Sequence, residues 1–173
     1  MQIRDIPLVV RYWTTSDPDF LTGMGVDLNK LPDGETLTDM LTTQLELPTA
    51  EKASYALIWL LENTPVGHTN VNKISFGEEA CMHLHIWQSG YRQSGMGTAL
   101  VKRSLPYFFE NLRLKRLFCE PYALNPAPNK TLEKVGFEFV KRYRTIPGAI
   151  NFEQEVNRWK LTREKYEQII THL

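Results

Sequence analysis

Cys81-Met82-His83-Leu84-His85-Ile86-Trp87-Gln88-Ser89-Gly90-Tyr91-Arg92-Gln93-Ser94-Gly95-Met96-Gly97-Thr98 joins two periodicities. From Cys81 to Trp87 the residues alternate, with Met82, Leu84 and Ile86 on one face and His83, His85 and Trp87 on the other, which is the two-residue period of a buried strand. From Ala99 to Leu105 the period is helical. Between them Arg92, Gly95 and Gly97 punctuate a loop. A strand that passes through a glycine loop into a helix N-terminus builds an anion site, because the first-turn amides lack intrahelical acceptors and sit at the positive end of the macrodipole. Gly95 and Gly97 let the backbone approach a ligand closely, and Arg92 adds a bidentate donor.

Working outward, Tyr55 to Leu61 and Val66 to Phe76 read as strands joined to the central one by short turns, an antiparallel meander. Downstream, Thr98 to Asn111 reads as a helix that Pro106 should kink or divide. Leu117-Phe118-Cys119 reads as a short return strand, so the unit is a right-handed βαβ crossover with the glycine loop at a carboxyl end of the sheet. Asn125 and Pro126 start another helix, which Gly136 ends. Phe137 to Arg144 and Glu155 to Leu161 read as strands, and Thr162 caps a terminal helix. Trp159 and Tyr166 read as packing residues. In the first fifty residues, Leu8 to Thr14 is β-branched and aromatic and reads as a strand. Asp17-Pro18 starts a short helix, and Thr36 to Leu47 carries helical spacing. The sum is one α/β domain of the α+β type spanning residues 1–173, with a mixed, mainly antiparallel sheet of six to seven strands and helices on both faces.

The composition is that of a globular chain, with 42% hydrophobic and 23% charged residues. No apolar run approaches eighteen residues and no signal-peptide pattern opens the chain, so a cytoplasmic, membrane-free protein is expected. Cys81 and Cys119 lie in apolar runs and read as buried thiols. A net charge of zero argues against a nucleic-acid partner. The charge is unevenly divided, however. Residues 1–80 hold five Lys/Arg against twelve Asp/Glu, and residues 81–173 hold fifteen against eight. A basic half suits a polyanionic cofactor, and an acidic half suits an amine, unless the charges are merely scattered over a solvated surface.

Arg92-Gln93-Ser94-Gly95-Met96-Gly97 resembles the R/Q-x-x-G-x-G/A motif of the GNAT acetyltransferase superfamily. Pro121 to Phe137, with Asn125, Asn129, Leu132-Glu133-Lys134 and Gly136-Phe137, resembles the N-x-x-S-x-x-x-L-E-K-x-G-F segment of its RimJ/RimL-like branch. The resemblance covers residues 55–145 well and the first fifty loosely. It implies acetyl-CoA as co-substrate and a primary amine, a protein N-terminus or a small molecule, as acceptor. Arg92, Gln93, Ser94, Gly95, Met96, Gly97 and Thr98 would hold the pyrophosphate. The edge amides of Ile86, Trp87 and Gln88 would pair with pantetheine, and those near Trp87 would polarise the thioester. Asn125, Asn129 and Lys130 would anchor the cofactor further. The family's serine is Pro128 here, and the tyrosine that many members use as an acid is Leu132.

The face bearing His83 and His85 has two readings. Either an imidazole takes the proton of an ammonium acceptor, with His85 ahead of His83, or both are buried histidines bonded to neighbouring elements. No metal is expected, since two strand histidines supply only two ligands. A monomer or a homodimer fits equally. Two other functions stand beside the enzyme. One is a CoA-binding sensor or interaction protein that has lost catalysis. The other is a nucleotide-binding phosphate loop, which lacks the usual Lys-Ser/Thr after the glycines.

Overall fold

The computed structural model describes residues 1–92 and 95–171. Its elements follow as α1 (Ile6–Thr15), α2 (Pro18–Gly23), α3 (Gly34–Glu46), β1 (Tyr55–Leu61), β2 (Thr64–Ser75), β3 (Glu79–Ile86), α4 (Met96–Asn111), β4 (Arg116–Cys119), α5 (Pro126–Val135), β5 (Glu138–Thr145), β6 (Gln154–Thr162) and α6 (Arg163–Ile170). The six strands form one sheet in the order β1-β2-β3-β4-β6-β5. Neighbours are antiparallel except β3 and β4, which run parallel because α4 carries the chain back across the sheet. This is the expected mixed sheet, at the lower strand count.

The alternation of β3 divides the molecule. Met82, Leu84 and Ile86 join the main core with Leu100, Val101, Leu105 and Phe108 of α4. Behind α4, Phe109 stacks on Tyr166 of α6 at 4.4 Å and 3°. On the opposite face, α1 packs on α3 and sends Tyr12 to His85. Helices therefore cover both faces of the sheet. No described helix is long and apolar enough to cross a membrane.

Two local expectations are corrected. Residues 8–14 are not a strand but the body of α1. Ile6, Val9 and Tyr12 are its buried residues, a helical stripe, and Pro7 stands in its first turn. The Thr14 and Thr15 hydroxyls each bond the carbonyl four residues back, at 2.9 and 2.8 Å. That back-bonding fits them into a helix despite their β-branched shape. Pro106 does not divide α4, which runs unbroken from Met96 to Asn111. Leu105, Phe108 and Phe109 around it are fully buried, and that packing outweighs the one backbone bond a proline removes.

The caps follow local chemistry. Asp17, Asp33, Asn125 and Thr162 accept from backbone N–H groups at the starts of α2, α3, α5 and α6. Gly136 ends α5 at φ 108°. Cys81 and Cys119 are free and buried on the neighbouring strands β3 and β4. Cys81 pairs with Phe118, and Met82 with Cys119, so the two thiols stand on opposite faces of the sheet.

Candidate active site

The parallel pairing of β3 with β4 runs only from Glu79↔Arg116 to Met82↔Cys119. β3 continues along β2 as far as Gly67↔Ile86. Backbone groups of successive strand residues turn to opposite edges. The Trp87 N–H donates to Val66 O at 3.0 Å on the β2 side, so Leu84 and Ile86 turn theirs to the gap beyond the end of β4. Gly67 makes the last pairing possible, since a Cβ there would stand 2.3 Å from the His85 carbonyl oxygen and 3.1 Å from the Trp59 ring.

α4 starts beside this gap. Gly95 is its N-cap at φ 80°, and no side chain among the described residues caps the helix; the Thr98 N–H turns back to Gly95 O at 3.1 Å. A Cβ on Gly97 would lie 3.5 Å from Thr131 Oγ1 of α5 and 3.6 Å from Ile86 Cδ1. An open strand edge and an uncapped helix start thus meet at one place.

On the other face, three imidazoles gather. His68 and His85 are paired across β2 and β3, and their rings stack at 4.6 Å and 19°. The Trp87 indole N–H donates to His68 Nδ1 at 2.7 Å, which puts the His68 proton on Nε2. Tyr12 Oη lies 3.2 Å from His85 Nδ1, and His83 Nε2 lies 3.1 Å from Asn72 Oδ1. Burial first, and then neighbouring charge, lowers the basicity of all three: His68 to about 3, His83 to about 4, and His85 well below the usual imidazole range. All three are neutral near pH 7. Burial also pushes the Tyr12 phenol above its usual value, so it remains a hydrogen-bond donor.

Glu120 follows the last residue of β4 and is 8% exposed. Its Oε1 accepts both from the Tyr143 hydroxyl and from Arg158 Nη1, each at 2.5 Å. Arg158 is also seated over the Phe118 ring at 3.9 Å. Glu120, His83, His85 and Asn125 line a cleft of about 320 Å³ that extends to α1 and α3 and under the segment between β5 and β6. That segment is stitched to the residues after α2. Val26 forms a bridge with Asn151, Asp27 N donates to Ile150 O at 2.8 Å, and Asn151 Nδ2 and Gln154 Nε2 both donate to Gly25 O at 2.8 Å.

The residues singled out from the sequence fall into three groups. Gly95, Met96, Gly97 and Thr98 form the start of α4, next to Ile86. Gln93 and Ser94 lie outside the described residues. Gln88 and Lys130 are exposed, and Asn125 caps α5 while lining the cleft. Others are already engaged. The Trp87 amide is held by Val66, so it is not available to pair with pantetheine or to polarise a thioester, and the expectation placed on it is withdrawn. The Arg92 guanidinium donates to Ile86 O at 3.0 and 3.2 Å and to Trp87 O at 3.2 Å, and it lies over the Phe20 ring at 3.9 Å. Asn129 donates to Asn125 O and Tyr122 O and accepts from Asn157 and Trp159. It therefore braces α5 against β6.

Sequence reading missed Glu120, Tyr12 and His68. Glu120 carried one usable signal, its position at the carboxyl end of a strand, where ligands gather.

A family model described as an acetyltransferase (GNAT) domain matches residues 1–138. No curated sequence matches the chain. Among solved structures, spermidine N-acetyltransferase from Vibrio cholerae in complex with CoA and spermine is similar at a TM-score of 0.77 and 16% identity, over 96% of this chain and 95% of that one. RimL, a ribosomal alpha-N-protein acetyltransferase in complex with coenzyme A, gives 0.77 and 10% over 95% and 92%. An aminoglycoside acetyltransferase in complex with coenzyme A and kanamycin gives 0.73 and 15% over 97% and 95%. At these identities the likeness is one of fold.

Proposed function

We propose, for a chain that belongs to the acetyltransferase (GNAT) domain family, that it moves an acetyl group from acetyl-CoA to a primary amine held in the same complex. The observation that carries this is the parting of β3 from β4 after Met82↔Cys119. It leaves a strand edge that leads to the uncapped start of α4 on one side and to the Glu120 cleft on the other.

The residues present fit acetyl-CoA. The Leu84 backbone and the Ile86 N–H on the open edge match the amide groups of a pantetheine arm, the Ile86 carbonyl being taken by Arg92. Gly95, Met96 and Gly97 offer backbone donors to a pyrophosphate, while the Thr98 N–H is bonded to Gly95 O at 3.1 Å and its hydroxyl is the group it can offer. Arg92 holds the loop to β3 and adds positive charge beside it. Asn125 caps α5 and lines the cleft, and Lys130 is an exposed cation of the same helix. The acetyl thioester is the chemistry that acetyl-CoA brings. In the chain itself, Glu120 is the group that pairs with the acceptor's ammonium and receives its proton, since Oε1 is already bonded and Oε2 is the oxygen left for a ligand. His83 and His85, kept neutral by burial, contact the acceptor without repelling its charge. The proton-accepting role expected of them passes to Glu120, because a group whose basicity burial has lowered this far is a poor base near pH 7. Leu132 is in the core, so a phenol for the departing thiol would come from Tyr122, which lines the cleft.

The segment from Asn125 to Phe137 and the likeness to RimL support a RimJ/RimL-like placement. The likeness to spermidine and aminoglycoside enzymes keeps the acceptor class open at this level.

The test is thermal unfolding with acetyl-CoA for the wild type and for Gly97→Trp, whose indole would fill the space between Ile86 and Thr131. Ligand at about one hundred times its Kd adds roughly 2.7 kcal/mol, a rise of about 5–10 °C for a domain of this size. The wild type should shift and the variant should not, while the midpoint of the variant alone stays near that of the wild type. No shift in either would overturn the reading. A shift without turnover on any amine would favour the CoA-binding sensor.

A further inference from the structure

The cleft that holds Glu120 is unlike a polycation site. Among its described lining residues Glu120 is the one carboxylate, and no lysine or arginine lines it. The twelve acidic residues of positions 1–80 lie elsewhere. Glu120 already shares its charge with Arg158 and Tyr143, so it has room for one further cation.

Over the sheet the wall is polar, with His68, His83, His85, Asn70 and Asn72, and on the α3 side it is apolar. α3 buries none of its residues. Yet Leu37, Met40 and Leu41, at helical spacing, line the cleft opposite Trp13 and Met24. Met40 is 56% exposed. A helix whose apolar stripe meets open space and not a core presents a surface that gains from being covered.

The cleft is also bounded. Its volume is about 320 Å³, roughly that of ten waters. The stitched segments border it, with Val26, Ile150, Asn151 and Gln154 in its lining, which suits a small molecule better than an extended peptide.

From charge, wall and size together we infer that the acceptor is a small primary monoamine with an apolar body, its ammonium at Glu120 and its body against the stripe of α3. This rests on the acetyltransferase reading and narrows it. A polyamine or aminoglycoside would have to bring further ammonium groups into a lining whose described residues hold no second carboxylate, and any laid against Leu37 and Leu41 would be desolvated at a cost. An apolar body gains from the same wall, and each matching methylene adds about tenfold or more.

The experiment uses the full chain with acetyl-CoA and four probes: 2-phenylethylamine, spermidine, kanamycin and a peptide with a free N-terminus. Thiol release reports turnover, and the unfolding midpoint of the CoA-bound chain reports amine binding independently. 2-Phenylethylamine should raise the midpoint and show a kcat/KM about 100-fold or more above the other three. Met40→Glu, at an exposed position, should raise its KM about tenfold and improve spermidine. Equal or better use of spermidine, kanamycin or the peptide would overturn the inference. So would an unchanged KM in Met40→Glu. A midpoint raised by acetyl-CoA but by no amine would overturn the acceptor class and leave the acetyl-CoA reading intact, whereas no rise with acetyl-CoA would remove both.

Discussion

Replacing Arg158 by Met should expose how Glu120 is held. The Glu120 side chain is 4% exposed and that of Arg158 28%, with 2.5 Å between Oε1 and Nη1. The Tyr143 hydroxyl shares the same oxygen. Methionine keeps most of the contact with the Phe118 ring, over which the guanidinium sits at 3.9 Å, so the loss falls mainly on the charge. Stranding a buried carboxylate in this way costs about 3–5 kcal/mol. The lower end applies here, because Tyr143 still donates and the cleft admits water. About 3 kcal/mol is a large share of the 5–15 kcal/mol that holds a typical domain. Glu120→Gln removes the charge, leaves an oxygen for Tyr143, and should cost about 1 kcal/mol. In the double variant there is no charge left to strand, so its cost should fall about 2 kcal/mol below the sum of the two single ones. Urea unfolding at pH 7 with unchanged m-values is the assay. Additivity within about 0.5 kcal/mol would mean that Glu120 is hydrated and not clamped. The argument that makes it the fixed anchor for an ammonium would then fail. In activity, Glu120→Gln alone should lower kcat/KM by about 100-fold or more, the usual worth of a positioned proton acceptor.

Two further perturbations probe the acceptor face. His68 titrates near 3 in the fold, against an ordinary value of 6.5, because burial disfavours its charged form. The unfolded chain takes up that proton as the pH falls below 6.5, and the folded chain does not until about 3. The stability is therefore whole above 6.5 and is lost on descending toward 3, by about 1.4 kcal/mol per pH unit below 5.5. His68→Gln should remove one proton's worth of that slope between pH 5.5 and 4, and superimposable stability–pH curves would contradict the assignment. Gly67→Ala should cost about 2–4 kcal/mol in denaturant unfolding, since its Cβ would meet the His85 carbonyl at 2.3 Å. A loss under about 1 kcal/mol would show that β2 and β3 yield locally.

What the sequence announced was what neighbouring residues decide together. The alternation from Cys81 to Trp87, the glycines before α4, Asn125 at the start of α5 and Gly136 at its end all act within a few residues, and each lies where its local chemistry puts it. α1 reads as a strand in sequence because Val9, Val10, Tyr12, Trp13 and Thr14 favour a strand one by one. The deciding stripe of Ile6, Val9 and Tyr12 counts only when a sheet face is present to receive it. Glu120 escapes a sequence reading for a different reason, since its position at a strand end is the only local signal. Its partners Tyr143 and Arg158 lie 23 and 38 residues further on, and nothing near Cys119 says that β5 and β6 will bring them there. The histidine stack needed the register His68↔His85, a property of two strands. Arg92 follows β3 in the chain, but its bonds to Ile86 and Trp87 carbonyls depend on how the chain folds back along β3.

β3 is where the two halves of the proposed chemistry become one geometry. Its even-numbered residues, Met82, Leu84 and Ile86, pack toward α4, and beyond the Met82↔Cys119 pair Leu84 and Ile86 turn their backbone to the open edge, while His83 and His85 face α1 and the acceptor cleft. A slip of one residue against β2 would exchange these sets. It would drive imidazoles into the core and put leucine and isoleucine against Tyr12. Gly67 resists that slip, because only a residue without a Cβ fits opposite Ile86. The Trp87–His68 bond at 2.7 Å, one residue beyond, fixes the same register from the other face. The parting from β4 after Met82 then leaves the next residues of the strand addressing both spaces at once, the cofactor edge through their amides and the acceptor through their side chains. Loss of register should therefore abolish cofactor binding and acceptor binding together, whereas changes at Glu120 or Met40 should leave acetyl-CoA affinity as it is. That separation is what makes the two sides of the site independently testable.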